Sequence, residues 1–199
     1  MLKQNHQVQL KKCYGKLKMI YKFKKFLSKK TKTRLAEVFV LSRLNYCSSV
    51  TQGIKIEQKN KLQKLQNCVL RFIYTVKKSD HISPFLKKSS MLNIENRTKV
   101  HSLTIMHKII NNIAPQYLSN RIKYRKDYHQ HNTRKKNLIH MQKLNKSVKQ
   151  NAFFMQASRD YNILVERNII KKEMSTAVLK KRCKNFLLNI QNSNFAPLP

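Results

Sequence analysis

Glycine is almost missing from this chain: 2 of its 199 residues, beside 4 prolines and no tryptophan. Tight β-hairpins draw on Gly, Asn-Gly and Pro at fixed positions, so the shortage argues against a β-sheet protein and for helices. Acids are scarce too, 8 against 43 Lys and Arg. Asp80, Asp127 and Asp160 lie in separate segments, and Glu37, Glu57, Glu95, Glu166 and Glu173 are equally scattered. A two-metal polymerase or nuclease site needs carboxylates that converge, and this pattern offers none. Cys13, Cys47, Cys68 and Cys183 form no CxxC pair, which speaks against zinc and a disulfide framework and for reduced thiols in an intracellular protein. The histidines lack ligand spacing: His129 and His131 are two apart, and His101 and His107 are not one helical turn apart. No GxSxG or Gly-rich phosphate loop is present. The expectation is no metal, no cofactor and no catalytic residue.

Long hydrophobic runs are also absent. Nothing approaches the roughly 18–20 apolar residues of a membrane span. The opening MLKQNHQVQLKKCYG is basic without an apolar core, so neither a signal peptide nor a membrane partner is expected. What the chain does have is apolar content of 41%, enough for a core, and a formal charge of +35. A compact domain so charged repels itself until a polyanion or a partner neutralises it; nucleic acid is the natural candidate and an anionic membrane surface comes second. Codon usage in AT-rich DNA is the plainer source of the lysines, though it accounts less readily for the missing acids.

Periodicity then places the helices. Val8, Leu10, Leu17, Ile20, Tyr21 and Phe26 suggest a basic amphipathic helix over 7–27. SKKTKT interrupts it, with Ser28 or Thr31 as a cap for a second helix over 33–48 whose inner side carries Leu35, Val38, Phe39, Ser42 and Tyr46. In KLQKLQNCVLRFIYTVKK, Leu62, Leu65, Val69, Phe72, Ile73 and Val76 recur at helical spacing. Lys64, Asn67, Arg71, Thr75 and Lys78 keep that spacing on nearly the opposite side, a basic strip of roughly four turns. Pro84 disfavours helical geometry at Ser83 and marks a stop. A helix over 95–112 follows, with Asn93 near its start as a cap, then a short turn at APQYL. Residues 121–150 are polar, basic and aperiodic, and read as a poorly ordered connection. A final helix over 175–189 packs Leu179, Cys183, Phe186, Leu187 and Ile190, with a frayed tail after it. The fold expected is all-α with about six helices: a thumb-like bundle over 1–120, the connection over 121–150 and a C-terminal block over 151–199.

Basic residues interleave with aromatics in KLKMIYKFKKFLSKK and in YRKDYHQHNTRKK, the second placing Tyr124 and Tyr128 near Arg134, Lys135 and Lys136. Cations neutralise phosphates and rings stack on unpaired bases. For any single lysine a solvated helix face is the better reading than a contact. The candidate nucleic-acid-binding residues are Lys64, Asn67, Arg71, Lys78, Arg134, Lys135 and Lys136.

The ordered set SRLNYCSSV, KLQKLQNCVLRFI, DHISP, ENRTKVHSL, APQYL and HNTR resembles the region after the catalytic palm in reverse transcriptases of jockey-like non-LTR retrotransposons. Leu62, Gln63, Gln66, Asn67, Arg71 and Ile73 match that family's helix signature. Pro115, Tyr117 and Leu118 match the next element, and His131, Thr133 and Arg134 the one after. Phe153 or Phe154, Asn162 and Leu164 match a later block, where Tyr161 replaces the usual Trp and Val165 the usual Pro. The resemblance implies a helical thumb that grips the template–primer by its backbone, within an RNA-directed DNA polymerase whose catalytic residues lie upstream of Met1. It also implies a palm domain of the same polyprotein as a partner. The alternative is an inactive transposon remnant, or a helical interaction module without nucleic-acid activity.

Overall fold

A computed structural model describes residues 2–46, 48, 55–128, 133–142 and 152–193. Cys47, the 49–54 connection, His129, His131 and the 194–199 tail lie outside the described residues, as does the side chain of Tyr46. The protein is all-α, as the glycine shortage implies, with about six long helices and no strand among the described residues.

Helix α1 (Leu2–Tyr21) buries Leu10, Cys13, Leu17 and Ile20, while Val8 and Tyr21 stay largely exposed. It ends before Phe26, which is 86% exposed, because residues 22–27 turn away to Ser28. Ser28 is the N-cap of α2 (Lys29–Ala36), its hydroxyl accepting from the Thr31 N–H at 3.2 Å. A π turn over Glu37–Leu41 leads into α3 (Ser42–Tyr46). A π turn holds one residue more than an α turn, which rotates the face after it. Ala36, Val40 and Leu41 are therefore the buried side chains, and Val38 and Ser42, expected on the inner side, are exposed.

Helix α4 (Ile56–Tyr74) crosses this layer and buries Leu62, Leu65, Val69, Leu70, Phe72 and Ile73. Helix α5 (Ser83–Lys88) begins where a stop is expected. Pro84 sits in its first turn, where a missing N–H costs nothing, so the proline opens a helix here. Helix α6 (Ile94–Ile110) is capped by Asn93, whose Oδ1 accepts from the Asn96 N–H at 2.8 Å. The short α7 (Gln116–Ser119) follows. Helices α8 (Phe153–Glu166) and α9 (Thr176–Ser193) pack closely on α6.

Two apolar clusters result. The first joins α1, α2, the π turn, α4 and α5; the second joins α6, α8 and α9. They meet at residues 91–94, where Met91 and Ile94 belong to one and Leu92 to the other. The cores thus part inside the stretch that the sequence groups as a single bundle over 1–120. Polar side chains close the seam. Gln66 Nε2 donates to the Leu92 carbonyl at 2.7 Å, and Gln63 Oε1 accepts from the Ile94 N–H at 3.0 Å. From the other side, Gln191 accepts from the Asn93 N–H at 2.8 Å and donates to the Met91 carbonyl at 3.1 Å.

Helix ends show how the chain manages without glycine. Thr75, Ser90, Asn112 and Asn168 all adopt left-handed φ of 49–59° just past α4, α5, α6 and α8. Each is followed by an apolar residue whose N–H reaches five residues back, as Val76 to Arg71 at 3.2 Å and Ile113 to Lys108 at 2.9 Å. These are Schellman endings, in which the left-handed position ordinarily falls to Gly.

Candidate nucleic-acid interface

Within the connection expected over 121–150, residues 121–128 and 133–142 are described, and these carry main-chain order that the sequence does not suggest. A one-turn 3₁₀ helix over Arg125–Asp127 forms one arm, with the Asp127 carboxylate accepting from the Tyr124 N–H at 2.8 Å. Residues 133–142 return beside it. The Arg125 N–H donates to the Leu138 carbonyl and the Lys126 N–H to the Lys136 carbonyl, both at 3.0 Å. The His140 N–H donates to the Lys123 carbonyl at 2.7 Å, and Tyr124 and Ile139 form an antiparallel bridge. Leu138 and Ile139 are buried. The buried Asn162 carboxamide grips Ile139 at both main-chain groups, accepting at 3.0 Å and donating at 2.9 Å. Hydropathy along the sequence misses this order because main-chain bonds and one asparagine supply it.

Between the arms lies a concavity of about 440 Å³ lined by Arg125, Lys126, Arg134, Lys135, Lys136 and His140. Three of the seven expected contact residues therefore converge. Lys135 is partly neutralised by Glu166, its Nζ 2.7 Å from the carboxylate, and this bond holds the Glu166 carboxyl below the usual carboxylate range. Tyr128 stacks on His140 with ring centroids 4.1 Å apart and is half exposed. Lys126 and Lys172 both lie over the Tyr124 ring.

The strip expected on α4 does not survive as a continuous surface. The helix ends at Tyr74 in the left-handed Thr75, so Lys78 lies in the following turn and not one helical turn further along. Arg71 is turned to structure: its Nε donates to the Lys77 carbonyl at 3.2 Å, and its Nη2 to those of Lys78 and Asp80 at 3.2 and 3.1 Å. Asp80 ties the same turn through the Lys77 N–H at 3.1 Å. Asn67 is half-buried and bonded to Gln63 at 3.0 Å. Only Lys64 remains exposed on the helix itself, beside Lys61.

A second polar site lies inside the C-terminal core. His107 is buried on α6, with Nε2 2.7 Å from the Met174 carbonyl and Nδ1 3.1 Å from the Tyr161 hydroxyl. A carbonyl only accepts, so the Met174 contact places a proton on Nε2, and the Asn111 carboxamide lies 3.0 Å from the same nitrogen. Burial pushes the Tyr161 phenol well above its ordinary value, and the hydroxyl stays protonated. The arrangement is a satisfied core network with no exposed nucleophile.

These features define a strongly basic, all-helical, two-core protein with a cationic concavity between the two arms of its C-terminal half. No family model matches the chain, and no curated protein and no solved structure matches it. No helix among the described residues is long and apolar enough to cross a membrane.

Proposed function

We propose that the protein binds nucleic acid through the phosphate backbone without reading sequence, using the concavity between the two basic arms. The observation that carries this reading is the convergence of Arg125, Lys126, Arg134 and Lys136 on a single depression beside the Tyr128–His140 stack. Main-chain bonds hold the backbone that carries Arg125, Lys126 and Lys136, so less backbone freedom is lost when phosphates bind. Among the α4 residues, Lys64 adds a peripheral charge, while Arg71 and Asn67 position the turn and the seam.

The ordered motifs further support an origin as the thumb and post-thumb part of a non-LTR retrotransposon reverse transcriptase. In that setting the chain grips template–primer, and a palm domain carries the DNA synthesis. Several motif residues have structural work consistent with such a module: Gln63 and Gln66 close the seam, and Asn162 holds the basic arms.

Salt titration of binding to a duplex and to a single strand tests the first reading. The logarithm of affinity should fall linearly with log salt, by about 0.9 per phosphate neutralised on duplex DNA. Arg134→Gln with Lys136→Gln should reduce that slope by about 2, and Arg71→Gln should not. A slope unmoved by the first pair would remove the concavity from the interface. The origin is tested separately by sequencing the transcript upstream of the Met1 codon, where an open frame reaching a paired-aspartate polymerase motif is expected. Stop codons there would sink the claim of a working polymerase.

A further inference from the structure

A second basic cavity, of about 230 Å³, opens where the two cores meet, away from the two arms. Arg97 and His101 reach it from α6, and Lys180 and Lys184 from α9. Ser90 reaches it from the turn after α5, and Glu37 from the start of the π turn. Four basic side chains thus face one carboxylate.

Arg97 is the unusual member. Its Nη1 is shut off from solvent and has no hydrogen-bond partner among the described residues. Glu37 is not within ion-pair distance of it; the described ion pairs are Lys99–Glu95 and Lys135–Glu166. The buried Asn45 Oδ1, an acceptor at the same cavity, also has no partner among the described residues. Native proteins rarely leave a buried guanidinium N–H unsatisfied, because the lost hydration is then uncompensated. Burial also pulls Arg97 below its ordinary value, with Glu37 only opposing. It lowers His101 in the same sense, and Lys180 and Arg97 add to that. Arg97 is thus a cation short of a counter-charge, while His101 is pushed toward its neutral form.

We infer that this cavity binds a phosphate group, with Arg97 as the principal ligand. A guanidinium offers paired N–H donors that match two oxygens of a phosphate, which a point charge does not. Lys180 and Lys184 supply charge from the exposed side of α9, and the Ser90 hydroxyl supplies a neutral donor. Binding requires the Arg97 side chain to turn, since its unpartnered Nη1 is closed to solvent here. The space is several times the roughly 30 Å³ share of one liquid water, enough for a phosphate and accompanying waters. Free phosphate and the terminal phosphate of a nucleic-acid chain present the same chemistry. The inference does not depend on binding at the basic arms.

Thermal unfolding of the full chain in inorganic phosphate, against sodium chloride at matched ionic strength, tests it. Phosphate should raise Tm saturably beyond chloride, by about 5–10 °C at a hundredfold excess over Kd. Arg97→Met should abolish that difference without lowering Tm in chloride, since it deletes an unpaired buried charge. Lys64→Gln should keep the difference in full. Equal gains in phosphate and chloride, or an undiminished gain in Arg97→Met, would overturn the site. Should Arg97→Met not fold, Lys180→Gln with Lys184→Gln on exposed positions serves instead. That pair should weaken apparent phosphate affinity at least several-fold, and unchanged affinity counts against the site. Competition by a short oligonucleotide identifies the source. Displacement by the 5′-phosphorylated form alone assigns a chain end, and displacement by neither form assigns free phosphate. Equal displacement by the 5′-hydroxyl form merges the cavity with general backbone binding and overturns a separate site.

Discussion

Thr75 sits in a conformation that suits glycine, with φ 59°, and it is β-branched. Left-handed backbone costs a non-glycine residue about 1–2 kcal/mol. Something holds threonine there, and the structure shows what. Lys32, only 7% exposed, places its Nζ 3.0 Å from the Thr75 hydroxyl, at the carbonyl end of α4. A hydrogen bond to a charged group contributes about 1.5–3 kcal/mol, and a cation at a helix C-terminus adds to it. The contact therefore outweighs the strain, and Thr75→Gly should destabilise the fold by about 1 kcal/mol in urea unfolding. A more stable variant would show that Lys32 contributes little there. Asp160 gives the opposite kind of case. Burial pushes its carboxyl above the ordinary carboxylate range, against Lys99 and Arg159. A raised folded value means the proton is held more tightly in the folded state. Stability then falls as pH rises through that value. Asp160→Asn should accordingly raise Tm at pH 7 and make no difference near pH 3, below the ordinary value of about 3.9. A gain equal at both pH values would place the effect in packing and not in charge.

At the scale of elements, the seam between the cores is made by three glutamines rather than by apolar contact alone. Gln191→Ala leaves the Asn93 N–H and the Met91 carbonyl without their partner. Each orphaned buried group costs about 1–3 kcal/mol, so a loss of about 2–6 kcal/mol is expected in denaturant unfolding. Gln66→Ala should cost about 1–3 kcal/mol through the Leu92 carbonyl alone. A Gln191→Ala loss below that of Gln66→Ala would show that water replaces its bonds. Such residues mark where the sequence is legible and where it is not. The apolar faces of α4 and α6 follow from spacing because burial writes itself as periodicity. So do the caps Ser28 and Asn93, whose side chains are chosen for local bonds. The π turn at Glu37–Leu41 is invisible to a fixed period, and with it goes the correct inner face of that helix. At the candidate interface, Arg134, Lys135 and Lys136 are legible as a charge run, but their convergence with Arg125 and Lys126 depends on main-chain pairing across the arms. Arg71 is misleading for a related reason: its carbonyl partners at 77, 78 and 80 are set by where α4 stops.

For the whole molecule, charge is the dominant quantity. A net +35 with two ion pairs among the described residues leaves mutual repulsion to be offset by burial. Screening reaches only about 10 Å at 0.1 M salt and about 30 Å at 0.01 M. Raising sodium chloride from 0.01 to 0.2 M should therefore increase Tm, by a few degrees, before any ligand is present. A falling Tm would mean that favourable ion pairs outweigh the repulsion. The same increase in salt weakens nucleic-acid binding, so stability and affinity should move in opposite directions across one titration.

The seam has a consequence in time as well as in energy. Asn93 and its Gln191 partner are 98 residues apart. At a synthesis rate of about 5–20 residues per second, the start of α6 waits roughly 5–20 s for that acceptor to be made. The first core can close on its own helices meanwhile, while the second has one wall and no lid. A nascent chain paused after α6 is thus half a protein: one core finished, and the face of the other still wet.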